Sequence, residues 1–252
     1  SSGQWPYATL QTAQKGDFAR FYPTSIMETA YDIIPFWVIR MIMLGLYETG
    51  EVPFREVVIH GLVRDKEGRK ISKSKGNVID PLVMVERYGA DALRMGIVWG
   101  AKVESDIALS EENIRGQRNF ANKIWNIARF VLMNESGSNK DQVPSSKLGK
   151  QEDDKWIHKE LAETIRKVTK SLDTYRLNEA VEEIYEFIWH KFADVYLEKT
   201  KSRRAEAQPT LEFVLKDSLK LLHPFMPFVT EATWEELGEK EMLISSPWPA
   251  AK

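Results

Sequence analysis

A run of basic and hydroxyl side chains between residues 64 and 76 is the part of the sequence best suited to chemistry on phosphates. It carries Lys70, Ser72, Lys73 and Ser74 in a segment bracketed by glycines. Lysine charge and hydroxyl donors can stabilise the negative charge that develops on phosphoryl oxygens during transfer. A solvated charged hairpin has a similar composition, because lysine-rich runs are common and nonspecific. The composition of the run leaves both interpretations open.

A second candidate surface lies on a helix that the periodicity predicts over residues 111–133. At about 100° per residue, five polar side chains fall within roughly 80° of its circumference, with Phe130 at their edge. These five are Arg115, Arg118, Asn122, Asn126 and Arg129. Guanidinium groups for phosphates, amides for base edges and a ring for stacking are the ingredients of single-stranded RNA loop recognition. A solvated polar helix face is the alternative.

The composition is that of an ordinary globular protein. Hydrophobic residues make up 43% and charged residues 29% of the 252 positions, which excludes a wholly disordered or collagen-like chain. This length accommodates one large or two small domains. The formal net charge is −2, so any nucleic-acid binding must rest on local basic patches.

Cysteine and histidine usage argues against a structural metal. The chain has no cysteine, which suits a reducing compartment and leads us to expect a cytoplasmic location. Its four histidines never fall at the spacing that would place two imidazoles on one helical face, so we predict no metal site. No apolar run reaches the ~18 residues of a membrane span, so we predict no membrane association.

The elements that must position these side chains change character along the chain. Residues 1–20 read as loop or as the frayed end of an element that begins upstream. A mostly buried helix is predicted over 33–47, with Asp32 as N-cap and Gly50 as stop. A β-branched run over 57–63 predicts a buried parallel strand. Two short helices are predicted after the basic run, over 82–88 and 90–99.

From residue 111 onward the sequence shows long amphipathic periods and almost no strand signal. We therefore predict a domain boundary near 102–110 and a helical bundle after it. Ser110 is the expected N-cap, and Pro209 is expected in the first turn of its helix. Trp125, Trp189 and Trp234 are expected in the core. The predicted helices cover 111–133, 154–172, 178–201, 209–222 and 228–237, with a long polar connection over 134–153.

Several stretches together resemble a known family. Residues 70–77 are similar to the Lys-Met-Ser-Lys-Ser signature of class I aminoacyl-tRNA synthetases, with Ile71 in place of the methionine. Residues 31–43 and 60–65 look like the valyl-tRNA synthetases within that class. Residues 91–94, 118–126 and 223–227 are similar to the anticodon-binding helical domain of that family. The resemblance covers nearly the whole chain.

This resemblance implies the fold class and its division. We expect a mainly α protein with an α/β part, in which the second half of a Rossmann-like catalytic domain is followed by an α-helical bundle that binds the anticodon. The expected domains are residues 1–105, with the lysine-rich loop and a stem-contact region, and residues 106–252.

The resemblance also implies roles for individual residues. The loop residues Lys70, Ser72, Lys73 and Ser74 would be catalytic, with the two lysines on the phosphates of ATP. Asp32 would hold the ribose hydroxyls, and its alternative is the helix cap described above.

Ile33 or Ile34 would line the valine pocket, and plain core packing is the alternative for at least one of them. His60 and Gly61 would lie beside adenine, where glycine lets the backbone approach closely. A hydrogen-bonded core histidine is the alternative for His60.

Two features of the family are missing from this sequence. The His-x-Gly-His signature and the editing domain are absent, so we expect a carboxyl-terminal portion of a longer enzyme that is catalytically silent alone. The implied substrates are ATP with Mg2+, valine and valine tRNA, and the implied partner is the remainder of the parent chain. The alternatives are a stand-alone tRNA-binding module and a synthetase for isoleucine, leucine or methionine.

Overall fold

The computed structural model describes residues 2–65, 67–69, 71, 79–101, 105–133 and 151–251. These residues form two compact units: the first contains residues up to 69 together with 101 and 105–108, and the second contains the rest. The packing therefore groups residues 79–100 with the helical part. The domain boundary expected at residue 105 stays a prediction, since compact units and family domains are different divisions.

The first unit is an α/β arrangement built on parallel strands. Helices α1 (Trp5–Thr12) and α2 (Asp17–Phe21) precede strand β1 (Thr24–Ala30), and helix α3 (Ile39–Thr49) leads to strand β2 (Phe54–His60). Strands β1 and β2 pair in parallel, from Thr24 opposite Phe54 to Ala30 opposite His60. The short strands β3 (Val63–Arg64) and β4 (Ile107–Ala108) also pair in parallel.

Three predictions for this unit were wrong. Residues 1–20 contain helices rather than loop, and β1 was missed because its sequence lacks a β-branched run. Asp32 makes no side-chain cap and lies in a 3₁₀ turn over Tyr31–Ile33. The helix predicted over 33–47 is present, as a π-helical turn, Ile34–Val38, that continues into α3, but it is not buried as predicted, since Ile39, Met43 and Leu46 are exposed. The predicted stop is confirmed, since Gly50 has φ +77° and donates to the carbonyl of Leu46.

The backbone passes very close to Gly61 in this unit. A Cβ atom at Gly61 would lie 1.9 Å from the carbonyl oxygen of Ser105 and 2.8 Å from the Cα of Asp106. Those atoms belong to backbone and have no rotamer by which to move away. The absence of a side chain at residue 61 therefore permits the approach that brings β4 beside β3.

The second unit is a helical bundle. Its helices are α4 (Pro81–Tyr88), α5 (Ala90–Trp99), α6 (Glu111–Leu132), α7 (Glu152–Asp173), α8 (Leu177–Tyr185), α9 (Glu198–Thr200), α10 (Arg204–Leu222) and α11 (Pro227–Glu236). A π-helical stretch, Glu186–Leu197, joins α8 to α9, so the helix predicted over 178–201 is continuous but not uniformly α. One apolar core runs through α5 to α11 and includes the fully buried Phe120, Phe192 and Leu211.

Of the two helix-end predictions for this unit, one is confirmed and one was wrong. Ser110 caps α6 as predicted, because its hydroxyl accepts from the backbone N–H of Asn113 at 3.2 Å. Pro209 lies inside α10 rather than in its first turn, so that prediction was wrong. The carbonyl that Pro209 leaves without a helical donor belongs to Ala205, which is exposed to water.

Asp91 and Arg94 of α5 hold the turn between α10 and α11. The buried Asp91 carboxylate accepts from the backbone N–H groups of Phe228 at 3.1 Å and Val229 at 2.6 Å. Arg94 donates to the carbonyls of Pro224 at 2.9 Å and Phe225 at 3.2 Å. One helix thus satisfies the free N–H groups that begin α11 and the free carbonyls that follow α10. Burial raises the pKa of Asp91, while the two N–H bonds work in the opposite direction.

A second buried carboxylate ties α7 to the segment before α10. Asp154 accepts from the Tyr196 hydroxyl at 2.7 Å and from the Arg203 guanidinium at 2.6 Å. Burial opposes ionisation of Asp154, but the two hydrogen bonds outweigh it, and its pKa lies below the ordinary value. The arginine is thereby committed to the bundle interior.

Replacing Asp91 with alanine should destabilise the helical unit by about 1–3 kcal/mol, because two buried N–H groups lose their acceptor. Urea unfolding followed by circular dichroism measures the change. Asp173→Ala is the matched control, since Asp173 is exposed at the end of α7 and should change stability by less than about 0.5 kcal/mol. Equal stabilities of the two variants would contradict the role of Asp91.

Replacing Gly61 with alanine should disrupt the β3–β4 pairing, because the new methyl group meets backbone. We expect a loss of about 1–3 kcal/mol, measured as faster hydrogen exchange of amides in β2 and β3. Gly116→Ala in α6 is the control: apart from its chain neighbours and the backbone of its own helix, no described atom lies within 4 Å of its Cβ position, so the helix should be unchanged or slightly stabilised. Unchanged exchange in the Gly61 variant would refute the close approach.

Candidate functional site

Most of the lysine-rich loop, residues 70–76, lies outside the described residues. This applies to Lys70, Ser72, Lys73 and Ser74, so their predicted roles stay predictions. The chain that leads into the loop is described, however, and it forms a tight turn after β3. The loop therefore follows a segment of known geometry.

Asp65 organises that turn. Its buried carboxylate accepts from the backbone N–H of Glu67 at 3.1 Å and of Arg69 at 2.8 Å, and pairs with the Arg69 guanidinium at 2.8 Å. The N–H of Gly68, at φ +76°, donates to the Asp65 carbonyl at 2.9 Å. No local sequence pattern indicates this role, because an aspartate followed by charged residues resembles any solvated loop.

The carboxyl ends of β1 and β2 bring several predicted residues to one edge. Ala30 pairs with His60, so the turn that contains Asp32 and the His60–Gly61 step leave the sheet side by side. Ligands of parallel α/β sheets bind outside the carboxyl ends of the strands. The register therefore supports a shared site for these residues.

His60 is half-exposed at this edge rather than enclosed in the core. Its Nε2 lies 3.0 Å from the Glu28 carboxylate, and its Nδ1 lies 2.7 Å from the Gly61 carbonyl oxygen. These contacts hold the imidazole ring with part of its surface open to solvent. A ring held in this way is available to a flat ligand such as a nucleobase.

The remaining predicted residues of the first unit differ in exposure. Asp32 is exposed, and Ile33 is 37% exposed. Ile34 packs against the small core of Val38, Met41 and Phe54. Of the two isoleucines, Ile33 is therefore the one available to a ligand, whereas Ile34 supports the fold.

Arg64 and Asp106 form an ion pair that the sequence reading missed. Asp106 also accepts from the backbone N–H of Leu62 at 2.8 Å. The hydrogen bond from Arg64, followed by that from Leu62, lowers the pKa of Asp106. The partners are 42 residues apart along the chain, so no local pattern could have revealed the pair.

The polar face predicted on α6 is present and exposed. Arg115, Arg118, Asn122 and Arg129 are all exposed on this helix. Within the described ranges, none of the three arginines forms an ion pair with a carboxylate. Glu111 at the start of α6 accepts from Tyr88 at 2.7 Å and Arg87 at 3.0 Å, which lowers its pKa and directs its charge toward α4.

The aromatic residues around this face differ from expectation. Phe130 is half-buried, and the Arg204 guanidinium lies 3.9 Å from the centre of its ring. The prediction that Trp125 lies in the core was wrong, since it is 37% exposed. Trp234 is buried as predicted, and Trp189 is half-buried and stacks on Tyr185 at 5.3 Å.

The described residues contain no group of three or more histidine, cysteine, aspartate or glutamate side chains arranged to hold a metal ion. None of their helices combines the length and apolarity that a membrane crossing demands.

Two family models match the chain. Residues 1–110 match the model of class I tRNA synthetases for I, L, M and V, and residues 154–252 match the anticodon-binding domain of tRNA ligases. The first model covers β1, β2 and the lysine-rich loop, and the second covers α7 to α11.

Several proteins similar in sequence to this chain are valine–tRNA ligases. The chain is 44% identical to the valine–tRNA ligase of Dehalococcoides mccartyi over 100% of its length and to that of Bacillus subtilis over 99%. It is 46% identical to the valine–tRNA ligase of Geobacter sulfurreducens over 94% of its length. The chain spans about 30% of the length of these relatives.

A solved structure shares the fold. A LeuRS from Agrobacterium radiobacter K84, in a ternary complex with tRNA and LeuAMS, superposes on 91% of this chain with a TM-score of 0.73 at 24% identity, over 29% of its own length. This likeness confirms the predicted fold class, mainly α with an α/β part. Together these matches show that the chain belongs to the class I tRNA synthetases, with a segment of the catalytic domain followed by an anticodon-binding domain.

Proposed function

We propose that the protein is a valine–tRNA ligase, which activates valine with ATP and transfers it to valine tRNA. The observation that carries this proposal is the identity of 44–46% to valine–tRNA ligases along nearly the whole chain. This chain supplies the lysine-rich ATP loop and the anticodon-binding bundle. The rest of the catalytic site belongs to the remainder of the parent chain, and the enzyme works in the cytoplasm.

In the activation step, an oxygen of the valine carboxylate attacks the α-phosphorus of ATP, and the bond to pyrophosphate breaks. Lys70 and Lys73 stabilise the negative charge that accumulates on the phosphoryl oxygens and on the leaving pyrophosphate. Ser72 and Ser74 donate hydrogen bonds to the same oxygens. The turn held by Asp65 supports this assignment, because it fixes the point at which the loop leaves β3.

The nucleoside and the amino acid bind at the carboxyl ends of β1 and β2. Asp32, which is exposed, accepts hydrogen bonds from the ribose hydroxyls. His60 lies beside adenine with Gly61, and Ile33 contacts the valine side chain. Ile34 contributes through packing. The parallel register that aligns Ala30 with His60 supports this grouping.

The only metal ion in the proposed reaction is one bound to the substrate ATP. Mg2+ is proposed as the ion that accompanies the phosphates of ATP, where it neutralises charge. The described residues offer no group of three metal-ligating side chains, and no step above is routed through a metal.

The exposed face of α6 binds the anticodon loop. Arg115, Arg118 and Arg129 contact phosphates or base edges, and Asn122 reads a base edge. Phe130 contributes only the part of its ring that Arg204 leaves open. The absence of carboxylate partners for these arginines among the described residues supports the proposal, because their charge is available to RNA.

Binding of valine tRNA by this chain should depend on the anticodon and on the α6 arginines. We expect Arg129→Ala to weaken binding on the order of tenfold and to reduce the slope of log K against log salt by about one. Filter binding at two salt concentrations, with valine tRNA and with the same tRNA carrying a changed anticodon, measures both effects. Arg166→Ala, an exposed arginine on α7, is the control and should bind like the wild type.

Equal affinity for the two RNAs at both salt concentrations would argue against anticodon reading by this bundle. Equal losses in the Arg129 and Arg166 variants would show that the chain contributes general positive charge only.

Valine-dependent pyrophosphate exchange by the whole protein should require Lys73. We expect Lys73→Ala to lower the exchange rate on the order of 100-fold or more, because charge on the leaving group loses its stabilisation. Binding of valine tRNA should be unchanged. Lys155→Ala, a surface lysine paired with Glu152 at 2.8 Å, serves as the control. Exchange driven by isoleucine, leucine or methionine instead of valine would contradict the proposed substrate.

A further inference from the structure

Trp125 is exposed on a helix that buries most of its other large apolar side chains. Ile114, Phe120, Ile124 and Val131 of α6 are at most 1% exposed, whereas Trp125 is 37% exposed. The exposed part of the ring forgoes the free energy that burial of apolar surface would contribute. The ring lies at the edge of the polar face of α6, where its flat apolar surface can contact a ligand that binds this face.

The neighbours of Trp125 are the residues proposed to bind RNA. On a helix, Asn122 at i−3 and Arg129 at i+4 lie on the same side as Trp125, and Arg118 lies two turns away at i−7. All three neighbours are exposed. The ring thus borders a surface of positive charge and amide groups.

Trp125 has no aromatic or cationic partner among the described residues. The structure shows no ring stacked on it, no cation above it and no hydrogen bond from its indole N–H within those ranges. Phe130, in contrast, has a guanidinium 3.9 Å from its ring centre, and Trp189 stacks on Tyr185. Trp248, with nearly the same exposure of 39%, donates its indole N–H to Thr169 at 2.9 Å.

We propose that Trp125 stacks on an unpaired base of the RNA loop that the α6 face binds. This inference rests on the proposed function and replaces Phe130 with Trp125 as the main stacking residue. A base has a flat face whatever its identity, so stacking contributes affinity without reading sequence. The two arginines beside the ring, Arg118 and Arg129, supply the charge complementarity that selects RNA over an apolar peptide.

The test measures binding of valine tRNA by the chain with Trp125→Ala and Trp125→Phe, alongside Trp248→Ala as a control of equal exposure. We expect Trp125→Ala to weaken binding about 5- to 100-fold. Trp125→Phe should recover most of the loss, because it retains a ring, and Trp248→Ala should bind like the wild type. Thermal unfolding of each variant establishes that the bundle is intact.

A stacking role has a signature that a structural role lacks. Valine tRNAs with a single abasic position are tested along the anticodon loop against wild type and Trp125→Ala. At the stacked position, removing the base should weaken wild-type binding and leave the Trp125→Ala variant unaffected. Such non-additivity identifies the base that Trp125 contacts.

Three outcomes would overturn the inference. The first is unchanged binding by Trp125→Ala while Arg118→Ala and Arg129→Ala weaken it, which would leave the proposed function intact. The second is an equal additional loss at every abasic position, which would mean that Trp125 acts through the fold or covers another protein segment. Indifference of all variants, including the arginines, would instead count against anticodon binding itself and against this inference with it.

Discussion

The helical unit depends on one set of hydrogen bonds between α5 and the turn from α10 to α11. A helix–turn–helix leaves carbonyls unpaired where the first helix ends and N–H groups unpaired where the second begins. Asp91 and Arg94, one helical turn apart, satisfy both sets of groups from a third helix. Because burying such groups without partners is costly, this arrangement fixes the position of α5 against the bundle. The α4–α5 pair, which follows the lysine-rich loop in sequence, thereby becomes part of the helical unit.

In the first unit, carboxylates in the loops provide hydrogen-bond partners for backbone N–H groups. Asp65 and Asp106 accept backbone N–H groups on either side of β3 and pair with arginines. These contacts shape the backbone around the site, and the groups proposed to touch ATP are different ones. Different residues are needed for the two roles, because a side chain that holds a turn by hydrogen bonds cannot also move with a substrate. The turn held by Asp65 gives the chain a defined position just before the lysines that are proposed to contact ATP.

Charge is used in two ways across the described part of the chain. Arg203 is paired with Asp154 inside the bundle and serves the fold. Arg118 and Arg129 lie on the surface of α6 without carboxylate partners in the described ranges. A chain with a net charge of −2 can thus present a local cationic surface, since its acids are engaged elsewhere, as Glu111 is with Arg87. This local excess is what an RNA loop requires.

The sequence by itself determined the features whose causes are local. The cap at Ser110, the amphipathic period of α6, the glycine stop at Gly50 and the lysine-rich signature all depend on residues a few positions apart, so pattern reading found them. Tertiary structure decided β1, which is a strand because it pairs with β2, and the pairing of Arg64 with Asp106 across 42 residues. It also decided which aromatic ring faces water, because exposure depends on what the neighbouring helices cover. Periodicity shows on which face of a helix a side chain lies, but only the packing of the other helices shows whether that face is covered.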